Sequence, residues 1–336
     1  MLSGVPVATQ PADLVGDLPE EFTTRVNELL DRIEQRLAEA AVADTDFVTE
    51  AAQHTIQAGG KRFRPLLVVL AALLSESPDE DAVVRAALVM ELTHVASLYH
   101  DDVMDEAELR RGAPTANLRW DNTVAILVGD FLFSRASSLV ATLGTDYVRL
   151  QADTFARLVQ GQIAETRGPL DDDLLGHYLQ VVADKTGSLI AASTSFGAMV
   201  AGADAEVLAA LAAYGEEIGV VFQLSDDIID IASDSSGKTP GTDLRAGVPT
   251  LPTLLARRST DPSDDRLLAL LDADLSADDD LAEALSLMRA HPSMAEAREE
   301  IRRRAEVARA HLAPLPEGPA KAALAALCDG VISRSS

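Results

Sequence analysis

Residues 91–112, ELTHVASLYHDDVMDEAELRRG, decide how the rest of the chain is read. Three carboxylates, Asp101, Asp102 and Asp105, stand at the end of a run that is otherwise apolar and helical in period. In a helix Asp101 and Asp105 share one face, about 6 Å apart along the axis. Like charges at that spacing destabilise a helix. A bridging divalent cation makes sense of them. An oxygen-only ligand set with open positions suits Mg²⁺, which keeps its waters and takes phosphate oxygens as further ligands. One acidic cluster alone is ordinarily a solvated helix face. The same D-D-x-x-D spacing returns in FQLSDDIIDIAS, residues 222–233, as Asp226, Asp227 and Asp230. Two such clusters, each set in aliphatic sequence, are hard to read as surface decoration.

The bulk composition frames that pair. The chain has 336 residues, 47% hydrophobic and only 4% aromatic, and Ala and Leu dominate the apolar set. This favours packed helices over sheet, and no strand-like alternation is visible, so the expected class is all-α. A net charge of -26 excludes nucleic acid as a natural partner. It also repels any anionic substrate unless metal ions and a local basic pocket reverse the field. The single cysteine, Cys328, allows no internal disulfide and fits a reducing cytoplasm. No basic segment followed by an apolar core opens the chain, so no signal peptide is expected. The longest uninterrupted apolar run, Leu66 to Leu74, is too short to span a bilayer, and no transmembrane segment is expected. Residues 1–17 read as a loose tail and 18–336 as one domain.

Outward from the acidic helix lie the basic groups such a substrate needs. GGKRFRP, residues 59–65, puts Lys61 and Arg64 at a helix start after a glycine pair, a setting that suits a diphosphate; the plainer alternative is a basic surface turn. His94 lies two turns before Asp101 on nearly the same face, whereas His100 reads as a satisfied core histidine. Arg110 and Arg111 follow the first cluster; they either grip diphosphates or merely neutralise Asp105 and Glu106. KTGS, residues 185–188, interrupts a strongly apolar helical run from Leu174 to Ala203. Lys185 there needs an anionic partner, and Gly187 is a place for the helix to break. Gln223 precedes Asp227 by one turn. The loop 233–250 carries Lys238 and reads as a flap over bound diphosphate. Ala116 to Gly144 reads as one helix.

Taken together, GGKRFRP, HDDVMDEAELRRG, GDFLFSRA, DKTGSL, FQLSDDIID and GKTPGTDLRAGVPTLP, in this order, resemble the trans-isoprenyl diphosphate synthases over residues 20–330. The resemblance implies a single-domain bundle of helices around a deep central cavity, a homodimer, and two acidic motifs binding three Mg²⁺ ions. Asp101, Asp105 and Asp226, with Asp230 less firmly, resemble the metal ligands. Arg110, Lys185 and Lys238 resemble the residues that grip the allylic diphosphate. Lys61, Arg64, His94 and Arg111 resemble the isopentenyl diphosphate site, and Thr186 and Gln223 the polar groups beside the reacting carbons. The implied reaction is ionisation of the allylic C–O bond, attack by the isopentenyl double bond, and proton loss, in a dry cavity. Many relatives have a lysine where this chain has Val248, which leaves one cation fewer near the allylic diphosphate.

Product length is read from Ala96 and Ser97, one turn before Asp101. Short-chain relatives carry bulky aromatics there. Two small residues leave the pocket open, and the expectation is a product of about C30 or more, as for a quinone side chain. A geranylgeranyl diphosphate synthase is the alternative. A class I terpene cyclase needs no isopentenyl site, so GGKRFRP and Arg111 argue against it. A non-catalytic subunit of a two-component synthase usually has degraded acidic motifs, and both are intact here.

Overall fold

The computed structural model describes residues 18–232 and 240–333. The tail expected over 1–17, and residues 233–239 of the expected flap, Lys238 among them, lie outside the described residues.

Helix α1 (Glu20–Ala40) buries Val26, Leu29, Ile33 and Leu37, a stripe at three- and four-residue steps. Helix α2 (Asp46–Gln57) is started by Thr45, whose hydroxyl accepts the Val48 N–H at 3.3 Å. It stops at Gly59 and Gly60, both at positive φ. Helix α3 (Phe63–Ala72) has Arg64 as its one residue that is not buried, which leaves no solvated face. Each of its leucines contributes about 1.5–3 kcal/mol by leaving water. Helix α4 (Glu80–Met104) begins at Asp79, whose carboxylate accepts the N–H groups of Asp81 and Ala82, and ends at the first acidic cluster.

A two-residue hairpin follows, β1 (Leu109–Arg110) against β2 (Ala113–Pro114), the one β pairing among the described residues. Its turn residues Arg111 and Gly112 both have positive φ, 54° and 79°, as a tight I′-type turn requires. The single helix expected from 116 to 144 is instead α5 (Ala116–Arg119) and α6 (Asn122–Ala141). The break has a local cause. The Asp121 carboxylate accepts the Val124 N–H at 2.8 Å and starts a new helix.

Helix α7 (Thr145–Arg167) leads to α8 (Leu174–Val182), N-capped by Asp173 as its acidic start suggests. A π-helical turn, Ala183–Gly187, separates α8 from α9 (Ser188–Val200). This is the form taken by the interruption expected at KTGS. Helix α10 (Ala205–Ala232) carries the second acidic cluster. The chain closes with α11 (Thr242–Arg245), α12 (Leu251–Ala256), α13 (Asp265–Leu271), α14 (Asp278–Ala290), α15 (Ser293–His311) and α16 (Pro319–Ser333). Thr250 and Thr253 form a reciprocal capping box at α12. The protein is all-α.

These elements gather into two compact units. The first comprises Met1–Phe155, Leu189–Ala212 and Pro314–Ala326; the second comprises Ala156–Ser188, Ala213–Ala313 and Leu327–Ser336. In the first, α4 packs on α6, α3 and α1. Glycine makes two of these contacts possible. A Cβ on Gly129 of α6 would lie 2.3 Å from the His100 ring, and one on Gly197 of α9 would lie 2.3 Å from the Val68 carbonyl oxygen. In the second, α12 sits against α15 and α8, with Leu251, Leu254, Met288 and Ile301 buried.

Among the described residues, Glu80–Met104, Asn122–Ala141 and Ala205–Ala232 are long and apolar enough to cross a membrane, by length and composition alone. Spaced charges divide each of them, so none reads in the sequence as one uninterrupted apolar run. Helix α4 is buried along most of its length.

Candidate active site

In the first unit, the chain reverses at Gly59-Gly60 and enters α3 through Arg62, which has φ 45°. A side chain in the left-handed region carries a strain of about 1–3 kcal/mol, so its surroundings hold it there. Arg62 bonds Glu34 at 2.6 Å and Glu91 at 3.0 Å. Burial works against its charge, but the two carboxylates hold the guanidinium above its ordinary range. Arg64, the second residue of α3, has no such bonded carboxylate: its Nε is buried without a hydrogen bond. Burial, then Arg111, lower Arg64 to about 10, although Glu91 pulls the other way.

Arg111 folds back over the glycine pair. A Cβ on Gly60 would lie 2.8 Å from its guanidinium, and one guanidinium nitrogen is 3.5 Å from the Thr55 carbonyl oxygen. Its pKa is lowered by burial and by Arg62 and Arg110, against the pull of Glu91. His94 of α4 is held well below its ordinary pKa by burial and then by Arg64, Arg111, Arg110 and Arg62. Thus Arg64, His94 and Arg111, which the sequence grouped, converge with Arg62 and Arg110 in one basic cluster. Lys61 precedes it on an exposed position. Cations whose charged forms are disfavoured in the ligand-free fold are poised for an anion.

The acidic end of α4 lies in the same unit. Asp105 caps the helix, its N–H bonded to the Asp101 carbonyl at 2.8 Å. Asp101 is half-buried and Asp105 exposed. Asp102 is different: it is fully buried, and one of its oxygens accepts Arg110 Nε at 2.5 Å while the other has no hydrogen-bond partner. Burial raises its pKa despite Arg110. Arg110 therefore pairs with Asp102 rather than with Asp105 or Glu106. Among the described residues, no set of three or more His, Cys, Asp and Glu side chains forms a ready-made metal cage. The residues still fit Mg²⁺, which is typically held by one or two carboxylates plus waters and substrate phosphates.

The second unit holds the other expected residues. Asp226 and Asp230 of α10 are half-buried. The Asp230 carboxylate accepts the N–H groups of Thr242 and Asp243, both at 3.1 Å, and so anchors the start of α11. Asp227 is buried, bonded to the Tyr178 hydroxyl, to the Leu251 N–H at 3.1 Å and to Gln223 Nε2 at 3.3 Å. Burial pushes its pKa up to about 6, against those three bonds. The other end of the Gln223 amide accepts Thr186 Oγ1 at 3.4 Å. Lys185, in the π turn, has the anionic partner it needs: Glu165 Oε2 is 2.6 Å from its Nζ. Val248 is 42% exposed.

A cavity of the first unit, about 480 Å³, is lined by Thr93 and His100 of α4, Phe133 and Val140 of α6, and Gln151 and Phe155 of α7, among others. That volume lies in the range of ligand cavities, about 300–1,000 Å³. Ala96 and Ser97 are buried on the two sides of the Thr93–His100 strip rather than on its lining. His100 bonds the Ile126 carbonyl oxygen at 3.1 Å and presents its ring to the cavity.

The model of the polyprenyl synthetase family matches residues 45–288, well over half of the chain. The chain belongs to this family. The nonaprenyl diphosphate synthase of Mycobacterium tuberculosis is 49% identical over 316 residues, 93% of this chain and 94% of that one. The dimethylallyltranstransferase of the same organism is 41% identical over 325 residues, 96% and 98% of the two chains. Among solved structures, the geranylgeranyl pyrophosphate synthase of Corynebacterium glutamicum, complexed with calcium and isoprenyl diphosphate, matches with a TM-score of 0.85 at 43% identity, covering 95% of this chain and 98% of that one.

In each of the two units, groups that the sequence does not single out surround the candidate residues. Asp102 and Asp227 were seen only as members of acidic clusters, but their burial separates them from their neighbours. Glu91 and Glu165 carried one signal, a carboxylate in a partly apolar helix. Tyr178 carried none.

Proposed function

We propose that the protein is a trans-prenyltransferase that condenses isopentenyl diphosphate with an allylic diphosphate to give an all-trans polyprenyl diphosphate of about C30 or longer, the size class of a quinone side chain. The observation that carries this reading is the convergence of half-buried Arg64 and His94 with Arg111 in one basic cluster, in the same unit as Asp101 and Asp105. An enzyme that acts on one allylic diphosphate alone has no use for a second anion site. Lys61, Arg64, His94 and Arg111 take the isopentenyl diphosphate; Arg110, Lys185 and Lys238 take the allylic diphosphate.

Asp101, Asp105 and Asp226, with Asp230, would hold Mg²⁺. Bound there, the metal supplies charge neutralisation for the departing diphosphate. His94, kept neutral by its surroundings, donates a hydrogen bond without adding to the positive field. Thr186 and the Gln223 amide offer polar oxygens beside the reacting carbons. The apolar cavity under His100 keeps water from the carbocation and receives the growing chain. Cationic cradles offset the repulsion that a chain of net charge -26 exerts on its substrates.

The long product is supported by small Ala96 and Ser97 and by the likeness to the nonaprenyl diphosphate synthase. A geranylgeranyl-length product is the second reading, favoured by the Corynebacterium structure. A homodimer is part of the proposal. Leu118, Ile126 and Leu127, at 57%, 43% and 61% exposure, leave an apolar surface on α5 and α6 that a second copy would cover. A reducing, cytoplasmic setting accords with the single buried Cys328. The deciding experiment gives purified protein Mg²⁺, isopentenyl diphosphate and each allylic starter in turn, and weighs the product. Elongation that requires isopentenyl diphosphate supports the reading. Hydrocarbon formed from the allylic diphosphate alone would replace it with a cyclase.

A further inference from the structure

The π-helical turn Ala183–Gly187 is gripped from one stripe of α7. Arg157, Gly161 and Glu165 are four residues apart, so they lie one above another on that helix. Each touches the turn. Arg157 Nε donates to Asp184 Oδ1 at 2.5 Å. The same guanidinium makes a two-pronged pair with Glu216 of α10, both bonds at 2.8 Å. Gly161 lies directly beneath the turn: a Cβ there would be 2.9 Å from both the Asp184 Cβ and the Lys185 backbone nitrogen. Glu165 holds the Lys185 ammonium at 2.6 Å.

The turn is tied from its own chain as well. Asp184 accepts Gln180 Nε2 at 2.8 Å with its second oxygen, and its carbonyl accepts the Ser188 hydroxyl at 2.5 Å. Gly187 passes close to the Glu216 backbone, where a Cβ would be 3.3 Å from the carbonyl oxygen. A π turn is a rare, less favourable form that persists where its surroundings fix it. Here the fixing groups converge on Asp184, the residue immediately before Lys185 and Thr186.

We propose that Arg157 is a positioning residue: through Asp184 and Glu216 it sets the height and rotation of the π turn, and with Gly161 it fixes where Lys185 and Thr186 meet the allylic substrate. The proposal rests on the reading that Lys185 and Thr186 serve the allylic diphosphate. Arginine is required because one planar group must satisfy two carboxylates on different helices with three donors; lysine supplies a point charge and cannot. Gly161 is required because any side chain would lift the turn off α7.

The test uses the full-length chain with Arg157→Lys, Arg157→Gln and Gly161→Ala. Alanine is a better helix former than glycine, so Gly161→Ala tests the packing without weakening α7 itself. Two quantities are read: steady-state constants for each substrate separately, and hydrogen exchange of the amides of residues 183–187. The expected result is faster exchange in the turn and a fall of about 10²-fold in kcat. KM for the allylic diphosphate rises, whereas KM for isopentenyl diphosphate, whose cradle lies in α3 and α4, stays within a factor of about two. Equal changes in both KM values, or unchanged exchange in the turn, would overturn the assignment and leave Arg157 a general stabilising group. If the wild-type chain makes no prenyl product, the functional reading fails on its own, and exchange at 183–187 in the three variants still decides whether Arg157 and Gly161 set the turn.

Discussion

Replacing Arg64 with methionine should make the ligand-free protein more stable and the enzyme worse. Burial, and next to it Arg111, lowers the Arg64 guanidinium from its ordinary range to about 10. At about 1.4 kcal/mol for each pH unit, carrying that charge costs the fold about 3 kcal/mol. The folded pKa lies below the unfolded one, so the cost is present in full at neutral pH and is relieved only as pH rises above about 10 toward the ordinary guanidinium range. Methionine fills much of the space of the aliphatic stem and carries no charge. Glu91 is not stranded by the change, because Arg62 remains 3.0 Å away. The expected gain is about 1–3 kcal/mol, after allowance for lost packing. Urea unfolding at neutral pH, with and without magnesium pyrophosphate, measures both sides. Wild-type protein should gain about 2.7 kcal/mol at a ligand concentration one hundred times Kd; Arg64→Met should gain far less, and its KM for isopentenyl diphosphate should rise tenfold or more. A variant less stable than wild type, yet stabilised by pyrophosphate to the same extent, would refute the idea that Arg64 is a charge held ready for an anion.

Gly60→Ala should raise KM for isopentenyl diphosphate with little effect on the allylic substrate, because the new methyl meets the Arg111 guanidinium at 2.8 Å and φ at this position is 157°; unchanged constants for both substrates would contradict that packing. Cys328 is buried and its thiol is raised to about 11 from 9.0. The folded chain keeps its proton above the pH at which the unfolded chain loses it, so stability is whole below pH 9 and falls by about 3 kcal/mol as pH rises from 9 to 11. Cys328→Ala should flatten that part of the profile in thermal unfolding, and native protein should resist iodoacetamide at pH 8. Ala96→Phe should shorten the product, as judged by chromatography, at a packing cost of about 1–3 kcal/mol; an unchanged product spectrum would remove Ala96 from the control of length.

What the sequence revealed and what it hid divide along a physical line. Asp101, Asp105 and Asp226 stand out as candidates in the sequence because charge inside a greasy helix is an anomaly that local pattern alone exposes, and the structure puts them at the end of α4 and within α10. The buried stripe of α1, Val26, Leu29, Ile33 and Leu37, repeats at helical steps in the sequence, whereas α4 is buried on every face and is marked instead by the acidic cluster at its end. The capped starts at Thr45 and Asp173 follow from short-range side-chain to backbone bonds. The break at Asp121 is of the same kind, but no glycine or proline stands between Ala116 and Val124 to announce it. The hairpin at 109–114 is too short to show alternation and declares itself only through φ at Arg111 and Gly112. Interactions between distant residues were invisible: Arg110 with Asp102, Arg157 with Asp184 and Glu216, Tyr178 with Asp227. None has a signature in spacing, because each depends on which helix faces are brought together. The cavity along Thr93 and His100 is hidden for the same reason, and Ala96 and Ser97, the residues read from the sequence for product length, are not on its lining.

The most direct measurement is Mg²⁺-dependent pyrophosphate release from isopentenyl diphosphate plus an allylic diphosphate by wild type, Asp101→Ala and Asp226→Ala. Each alanine should lower turnover by about 10³-fold or more while the far-ultraviolet circular dichroism stays that of a folded helical protein. Turnover within a few fold of wild type in either variant would show that the paired aspartate motifs do not carry the chemistry.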